Sequence, residues 1–396
     1  MKKPWLKLIM RRNKSIIYIN FAPYENAGRI LDFLLDNFQL VLVFSFDFHK
    51  LNQPTQSNYL KIFSEGKEIK EVKLFRLPTP EALLFISLPF IATVIAIQTM
   101  WYITKLRVKF GKFDIFLTVN AFTAWVGNIL RDLSIIDKTI FWVWDYYPPG
   151  YPHWIIRLAR WAYWQFDKLS TRSSDSTVFL NKKLINLRKQ IGVLSKTKKY
   201  SIVPIGTNLG RVIINKNKYI IGHLGVLKRS QGLDLLFDNL KALEKIIPNL
   251  EIEIIGSGPD AKYFKSRARQ MTKSNIKFYG FIKEDDKVDK IIRHWSIGLA
   301  PYIPDMSSPA YWTDPSKIKA YISQGVPVIT TSITPFSEEI KERNAGIVID
   351  FFDRREFIEA VSKILKHQKD FKNNAFSFAK NYYYKKIYPR LFEVVE

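Results

Sequence analysis

The hydrophobic and polar positions of the first 200 residues follow a repeating rhythm. Short apolar runs of strand length alternate with longer stretches whose apolar residues recur at helical spacing. The strand runs are "IIYINFA", "LVLVFSF", "FDIFLTVN", "TIFWVWD" and "STVFLN"; the helical stretches are "AGRILDFLLDNF", "AFTAWVGNILRDL" and "HWIIRLARWAYWQFDKLSTRSSD". This order predicts an α/β fold built on a parallel sheet that is covered on both faces.

The rhythm starts again near residue 219 with "YIIGHLGVL" and continues to "AGIVID". Between the two halves lies "VPIGTNLGRVIINKNK", which is polar and aperiodic and is therefore the best linker candidate. A chain of 396 residues is also too long for one ordinary core. We predict two Rossmann-like, doubly wound domains that face each other across a cleft, at residues 1–207 and 208–375. Residues 376–396 are expected to form a helix that packs back on the first domain.

One segment departs from this rhythm, because residues 82–104 carry no charge over 23 positions. That length is sufficient to cross a bilayer. Strand-like runs lie on both sides of it, however, and a single crossing would separate the two halves of one sheet. Three interpretations stay open: a spanning helix, a helix in the membrane interface, and an ordinary buried helix. Pro89 would kink any of the three.

Charge adds a second signal. The formal net charge is +25, and residues 1–207 hold 30 lysines and arginines against 14 aspartates and glutamates. Such an excess attracts phosphates, anionic lipids or nucleic acid, and no nucleic-acid-binding module accompanies it. The chain has no cysteine, which excludes disulfides and thiolate metal sites. The apolar part of "MKKPWLKLIMRRNKS" is too short for a signal peptide, so we expect a cytoplasmic protein bound peripherally to the inner face of the cell membrane.

The stretch "TDPSKIKAYISQGVPVITT" reads as a turn, a two-turn helix, a glycine stop and a short strand. Asp314-Pro315-Ser316-Lys317 open that helix, and a helix N-terminus offers unpaired backbone N–H groups and a partial positive charge to a phosphate. Pro315 stands where a missing N–H costs nothing, and Lys317 adds a cation. The alternative is that Asp314 only caps the helix and Lys317 points to water.

The order of these signals resembles the donor domain of the two-Rossmann (GT-B) glycosyltransferases, in particular the retaining family 4. The resemblance is carried by "GHLGVLKRSQGLDLL", "IIGSGPD", "KFYGF", "LAPY" and "PSKIKAYISQGVPVI", five elements in the family's order. It is looser in the first half, through "FAPYENAGRI", "WDYYPP", "SSDSTVFLN" and "VPIGTN". The resemblance implies a retaining, metal-independent glycosyltransferase without a cofactor, whose substrate is a nucleotide sugar such as a UDP- or GDP-sugar.

The resemblance also implies a donor site in the second domain. Its residues would be those of the glycine loops, the strand ends and the helix start: Gly225, Lys228, Arg229, Gly256, Gly258, Phe281, Ile282, Pro301, Asp314, Pro315, Ser316 and Lys317. Two features depart from the family. The basic pair that neutralises the diphosphate falls on Val226 and Gln231, with Lys228 and Arg229 beside those positions. The family's two glutamates fall on Trp312 and Ala320.

On the acceptor side, the resemblance points to Gly28, Asp145 and Tyr146. Many relatives have a His-Asp pair where this chain has Trp144 and Asp145. A carboxylate at a strand end could hold a sugar hydroxyl or assist the acceptor proton, and a plain turn aspartate is the alternative. Asp145 and Lys317 are therefore the predicted catalytic residues.

The predicted function is sugar transfer to an acceptor hydroxyl, with a saccharide, a lipid-linked saccharide or a surface polysaccharide precursor as acceptor and an anionic membrane surface as partner. Two alternatives stay open, a sugar-nucleotide epimerase of the same architecture and a basic membrane-binding relative whose catalytic site has decayed.

Overall fold

The computed structural model describes residues 13–22, 24–47, 57–80, 83–144, 146–147, 153–214, 218–271, 275–305, 309–312 and 314–393. The chain forms two compact units. The first comprises Met1–Pro204 together with Tyr384–Glu396, and the second comprises Ile205–Tyr383.

The first unit contains an eight-stranded sheet with helices between its strands. The strands are β1 (Ser15–Phe21), β2 (Leu40–Phe46), β3 (Tyr59–Ser64), β4 (Lys67–Lys73), β5 (Phe113–Thr118), β6 (Ile136–Val143), β7 (Ser176–Phe179) and β8 (Ser201–Ile202). The helices are α1 (Ile30–Asn37), α2 (Leu84–Phe110), α3 (Ala121–Asp132), α4 (Trp154–Ser173) and α5 (Lys182–Gln190). The strand order is β4-β3-β2-β1-β5-β6-β7-β8.

One strand of this sheet, β3, runs against the others. β3 pairs antiparallel with both β2 and β4, while the remaining pairs are parallel. The hairpin turn is Glu65-Gly66, and both residues have positive φ, as the tight turns of hairpins require. The predicted strand runs did not include this hairpin, although its Glu-Gly turn and the alternating "KEIKEVK" are the signals that point to it.

The second unit contains a six-stranded, fully parallel sheet. Its strands are β9 (Tyr219–Leu224), β10 (Leu250–Ile255), β11 (Asn275–Gly280), β12 (Ile297–Ala300), β13 (Val328–Thr331) and β14 (Gly346–Ile349). The helices are α6 (Asp234–Ile246), α7 (Ala261–Met271), α8 (Asp285–Ile292), α9 (Ser316–Ser323), α10 (Ser337–Glu342), α11 (Arg354–Lys366) and α12 (Gln368–Ala379). The order is β11-β10-β9-β12-β13-β14.

Both faces of this second sheet are covered. Ile221 and Leu299 belong to one buried apolar cluster, whereas their chain neighbours Ile220 and Ala300 belong to another. Successive residues of a strand point to opposite faces, so the sheet lies between two layers of helices. The prediction of two Rossmann-like, doubly wound domains is confirmed.

The last short helix, α13 (Tyr384–Ile387), belongs to the first unit. The Tyr388 hydroxyl, just after it, donates to the carbonyl of Gly28 over 2.7 Å. The rings of Tyr388 and Phe392 both pack on Phe33 of α1. These contacts attach the C-terminal segment to the loop that follows β1.

Candidate active site

The carboxyl ends of β9 and β12 lie side by side at the point where the strand order of the second unit reverses. The first strand of the unit is there the neighbour of its fourth. In open parallel sheets, ligands bind in the crevice outside the carboxyl ends of the strands at such a reversal. The loop after β9 begins at Gly225, the loop after β12 begins at Pro301, and α9 begins nearby at Ser316.

Lys317, in the first turn of α9, places its ammonium group at this reversal. Its Nζ donates to Gln231 Oε1 over 2.9 Å and lies 4.8 Å from the centre of the Tyr302 ring. Among the described residues Lys317 makes no ion pair, and burial lowers its pKa from 10.5 to about 7. A buried cation without a carboxylate is costly, and an anionic ligand would relieve that cost.

Gln231 reaches Lys317 because its loop runs close to the end of β12. Gly232 has a φ of 78°, and a Cβ on it would lie 1.7 Å from the Pro301 carbonyl oxygen. Only glycine permits this approach. Gln231 therefore serves as a neutral partner of Lys317, at a position where the resemblance predicts a cation.

His223, at the end of β9, is a second polar group at the same place. Its Nδ1 lies 3.2 Å from the carbonyl oxygen of Leu299, which only accepts, so Nδ1 carries the proton. Nε2 then presents a lone pair, and it has no hydrogen-bond partner among the described residues. Burial, reinforced by the charge of Lys317, holds the His223 pKa well below 6.5. No sequence pattern pointed to this residue, because a lone histidine in a strand is usually structural.

The predicted glycines form the floor of this region. A Cβ on Gly225 would lie 3.1 Å from Lys317 Nζ and 4.0 Å from His223 Nε2, so both atoms lie on one side of the loop. Gly256, after β10, packs so closely that its Cβ would meet the Gly225 carbonyl oxygen at 1.9 Å. Gly258 lies in the same way against the backbone of Leu227.

The contacts of Asp314 are with buried groups of the second unit. Its Oδ2 accepts from the backbone N–H of Ile205 over 2.6 Å and forms a buried ion pair with Lys319. Lys319 also donates to the Ile205 carbonyl over 2.5 Å. Burial raises the Asp314 pKa and lowers that of Lys319, while each charge opposes the shift of the other. The pair attaches the start of α9 to the beginning of the second unit.

Pro315 and Ser316 differ in their surroundings. Pro315 is buried, and the exposed Ser316 donates its backbone N–H to the Asp314 carbonyl over 2.9 Å. That N–H is therefore occupied in this structure. A phosphate at the start of α9 would have to displace a turn hydrogen bond to use it.

The two predicted basic residues of the β9 loop are both exposed. Lys228 extends into solvent, whereas the Arg229 guanidinium pairs with Asp234 at 3.1 Å and lies 4.8 Å from the centre of the Tyr263 ring. Arg229 is thus held on the surface by a carboxylate and a ring. Of the three predicted cations, Lys317 is the buried one.

Phe281 and Ile282 follow β11 and line an open groove of about 620 Å³. The groove also contains the basic side chains Lys283, Lys287 and Lys290, together with Glu284 and Ile291. Phe281 is 43% exposed. An apolar surface bordered by cations suits a planar, anionic group such as a nucleotide, and the pair lies where the family resemblance expects the base.

In the first unit, Gly28 lies in a strained loop after β1. Gly28 and Arg29 both have positive φ, at 67° and 66°. Tyr146 is buried, and its ring stacks on that of Trp164. Asp145, the predicted catalytic carboxylate, lies outside the described residues. Its neighbour Trp144 packs edge-on against Trp142. No group of three or more metal-ligating side chains occurs among the residues that the structure describes.

Comparison with known protein families identifies the family of the second unit. Residues 207–380 match the family model described as glycosyl transferases group 1. The second unit is a glycosyl transferases group 1 domain. Together, the two Rossmann-like units have the GT-B fold. Membership of the retaining family 4 in particular stays a prediction.

Solved structures support the GT-B fold over nearly the whole chain. A sucrose-phosphate synthase from Thermosynechococcus elongatus aligns with a TM-score of 0.68 at 14% identity, covering 97% of this chain and 98% of that one. Anabaena HepE in complex with UDP-glucose aligns with a TM-score of 0.60 at 13% identity, covering 97% and 99%. A UDP-forming trehalose-phosphate synthase from Burkholderia xenovorans gives 0.60 at 12%, covering 97% and 100%. No curated protein matches the sequence significantly.

Proposed function

We propose that this glycosyltransferase moves a hexosyl residue from a nucleotide diphosphate sugar to a hydroxyl of a lipid-linked saccharide or surface polysaccharide precursor. The transfer would proceed with retention of the anomeric configuration and without a metal ion. The observation that supports this proposal is the ammonium of Lys317, which is buried at the strand reversal and has no carboxylate partner among the described residues.

The proposed chemistry follows from the leaving group. When the bond between the sugar and the diphosphate breaks, negative charge grows on the departing oxygens. A positioned cation stabilises that charge more than it stabilises the bound substrate, and such stabilisation lowers the barrier. Lys317 would supply the cation, and Lys228 would add charge from the exposed loop. The diphosphate would lie beside Gly225, where Lys317 Nζ comes within 3.1 Å of the position that a Cβ would take.

The remaining parts of the substrate would lie on either side of the diphosphate. The base would occupy the groove at Phe281 and Ile282, since its apolar and basic lining suits a nucleotide. His223 Nε2, a lone pair beside Lys317, would accept a hydrogen bond from a sugar hydroxyl or from Lys317 itself. Gly28, Asp145 and Tyr146 stay the proposed acceptor residues.

The acceptor and the cellular location are proposed from charge. The basic excess of the first 207 residues favours an anionic membrane surface, and a diphosphate-linked lipid would be drawn to the same charge. We place the protein at the cytoplasmic face of the membrane. Activity that is equally high with a soluble acceptor in lipid-free buffer would contradict this part.

The donor site is tested by thermal shift with UDP-, GDP-, ADP- and dTDP-sugars, followed by nucleotide-release assays. At least one donor should stabilise the protein, and Lys317→Ala should weaken its binding by roughly tenfold to a hundredfold, the loss expected for a charge-assisted hydrogen bond. Lys366→Ala removes an exposed lysine of α11 and is the matched control.

Three outcomes distinguish the proposed transferase from an epimerase and from a decayed site. Nucleotide release with transfer supports the proposed transferase. A changed sugar without release would indicate an epimerase, and no shift with any donor would indicate a decayed site. An equal shift in wild type and Lys317→Ala would overturn the placement of the diphosphate.

A further inference from the structure

Two helices of the first unit carry large apolar side chains on their outer surfaces. Nine such side chains are each more than half exposed, five on α2 and four on α4: Ile86, Phe90, Ile97, Trp101, Val108, Trp154, Leu158, Trp161 and Leu169. The two helices contact each other. Single exposed apolar residues are normal, but two rows of them on adjoining helices mark a candidate interaction surface. We call these nine residues the α2–α4 face.

The five residues on α2 form one row. They are separated by four, seven, four and seven positions, which brings them to the same side of an α-helix. The opposite side holds Ile95, Thr99 and Ile103, which are buried against the sheet. α2 therefore packs on the core by one side and leaves an apolar row of about 33 Å uncovered on the other.

The four residues on α4 form a second row, since Trp154, Leu158 and Trp161 recur at helical spacing and Leu169 lies two turns further on. Three of the nine side chains are tryptophans. Tryptophan prefers the boundary between lipid and water, because its ring is apolar and its N–H is polar.

Among the described residues, the exposed charges that these two helices carry are all positive. α2 contains no acidic residue, and its last turns carry Lys105, Arg107 and Lys109. α4 has a single acid, Asp167, which is buried in an ion pair with Arg188. Arg157 and Lys168 remain exposed on α4. An apolar surface on helices whose exposed charges are positive matches the apolar interior and anionic headgroups of a membrane.

The fold argues against a membrane-spanning α2, although among the described residues it is the one helix long and apolar enough to cross. The strands before and after it, β4 and β5, belong to the same sheet. Ile95 and Ile103 also fix its middle against the core of the unit. The helix therefore lies along the unit and offers only its outer side.

We propose that the α2–α4 face docks in the plane of an anionic lipid surface, with its tryptophans at the headgroup level and its basic residues on the lipid phosphates. A second copy of the chain fits less well, because a symmetric dimer would bring two basic faces together. The inference rests on the proposed function, which locates the activity of the protein at the membrane. Vesicle binding needs no nucleotide sugar, so the two proposals can fail separately.

The test is cosedimentation of the full chain with vesicles of phosphatidylcholine alone and of phosphatidylcholine mixed with phosphatidylglycerol. The variant Phe90→Ser/Trp101→Ser/Trp161→Ser should lose at least about tenfold in binding to the mixed vesicles. Lys105→Gln/Arg107→Gln should lose about tenfold or more on the same vesicles and little on the neutral ones. Phe352→Ser, which removes a 75% exposed ring in the second unit, is the matched control and should bind normally.

Quenching of tryptophan fluorescence by brominated lipids gives a second readout, and the triple variant should lose most of it. Several results would overturn the proposal: no binding to mixed vesicles, equal binding by the triple variant, or a wild-type dimer that the triple variant abolishes. Retention on vesicles after alkaline carbonate washing would instead indicate a spanning helix and would also overturn it. Urea unfolding checks that each variant is folded.

Discussion

The two units depart in opposite ways from the rule that charged side chains lie at the surface and apolar side chains lie in the core. The second unit buries the lysines Lys317, Lys319 and Lys372, while the first unit exposes the nine apolar side chains of the α2–α4 face. Both arrangements cost free energy in the isolated chain, because a buried cation loses its hydration and an exposed apolar side chain orders water.

The difference lies in what would compensate each cost. Lys319 already has the carboxylate of Asp314, and Lys372 donates to the carbonyl of Trp295 over 2.6 Å. Lys317 and Lys372 both have uncharged partners, but Lys317, beside Gln231 and the Tyr302 ring, is the one that lies at the carboxyl ends of the strands. The α2–α4 face likewise has no cover among the described residues. We infer that the uncompensated feature of each unit is the one a ligand completes, a diphosphate in the second and a lipid surface in the first.

The largest expected effect is the difference in stability between variants of Lys319, which has a carboxylate partner, and variants of Lys317, which has none among the described residues. Lys319→Met leaves the Asp314 carboxylate buried without its cation, and breaking a buried pair in this way costs roughly 3–5 kcal/mol of stability. Urea unfolding, with hydrogen exchange of β9 and β13 to locate the effect in the second unit, measures the loss. Lys317→Met should cost far less, since it removes a charge that has no carboxylate partner. Equal losses would mean that Lys317 is also structural.

A second comparison contrasts the two sides of α2. Ile103→Ala should lower the free energy of unfolding of the first unit by about 2–5 kcal/mol, because its side chain is fully buried. Trp101→Ser, two residues away and 65% exposed, should change it by about 0.5 kcal/mol or less. Urea titration with hydrogen exchange of β1 and β5 gives both values. A large loss for Trp101→Ser would show that the outer row is held by packing.

The fold was predictable because the hydrophobic periodicity of its strands and helices is strong. Runs such as "LVLVFSF" and "LEIEII" have strand length and are rich in β-branched or aromatic residues, and β2 and β10 occupy them. The hairpin β3–β4 was not predicted. Its strand β4 is polar and almost fully exposed at the sheet edge, so burial leaves little trace in its sequence.

The candidate site was predictable only in part. The helix start at Ser316 and the cation of Lys317 can be read from "DPSKIKAY", because both are local. The partners of Lys317 are not local: Gln231 is 86 residues away, and His223 and Tyr302 come from two other strand ends. Asp314 was expected at the donor, yet the buried Lys319 that holds its Oδ2 could not be inferred without the tertiary packing.

The third prediction uses the pKa of Lys317, about 7 in this structure. A bound diphosphate favours the charged ammonium and raises that pKa, so the complex holds more protons than the free protein above pH 7. Nucleotide affinity should therefore fall as pH rises from about 7 to about 9, by at most about tenfold per pH unit. Calorimetric titration in buffers of different ionisation enthalpy would detect the accompanying proton uptake.

In the absence of ligand, the lowered pKa of Lys317 makes the stability of the protein rise with pH, whereas it makes the affinity fall. Between the folded pKa of about 7 and the ordinary 10.5, the unfolded chain binds a proton at Lys317 that the folded chain does not. The free energy of unfolding should therefore rise with pH across this window relative to that of Lys317→Met. If the affinity of Lys317→Met shows the same pH dependence as the wild type, another group is responsible.

The smallest expected effect concerns Arg229, the predicted cation that the structure holds on the surface. Its guanidinium is 63% exposed and paired with Asp234, and such exposed pairs contribute little to stability. Arg229→Ala should therefore change both stability and nucleotide affinity only slightly, by about threefold or less in affinity. Titration with the donor identified by thermal shift measures this against Lys317→Ala. A larger loss for Arg229→Ala would mean that Arg229 leaves Asp234 to reach the diphosphate, and the distinction between buried and exposed cations would no longer hold.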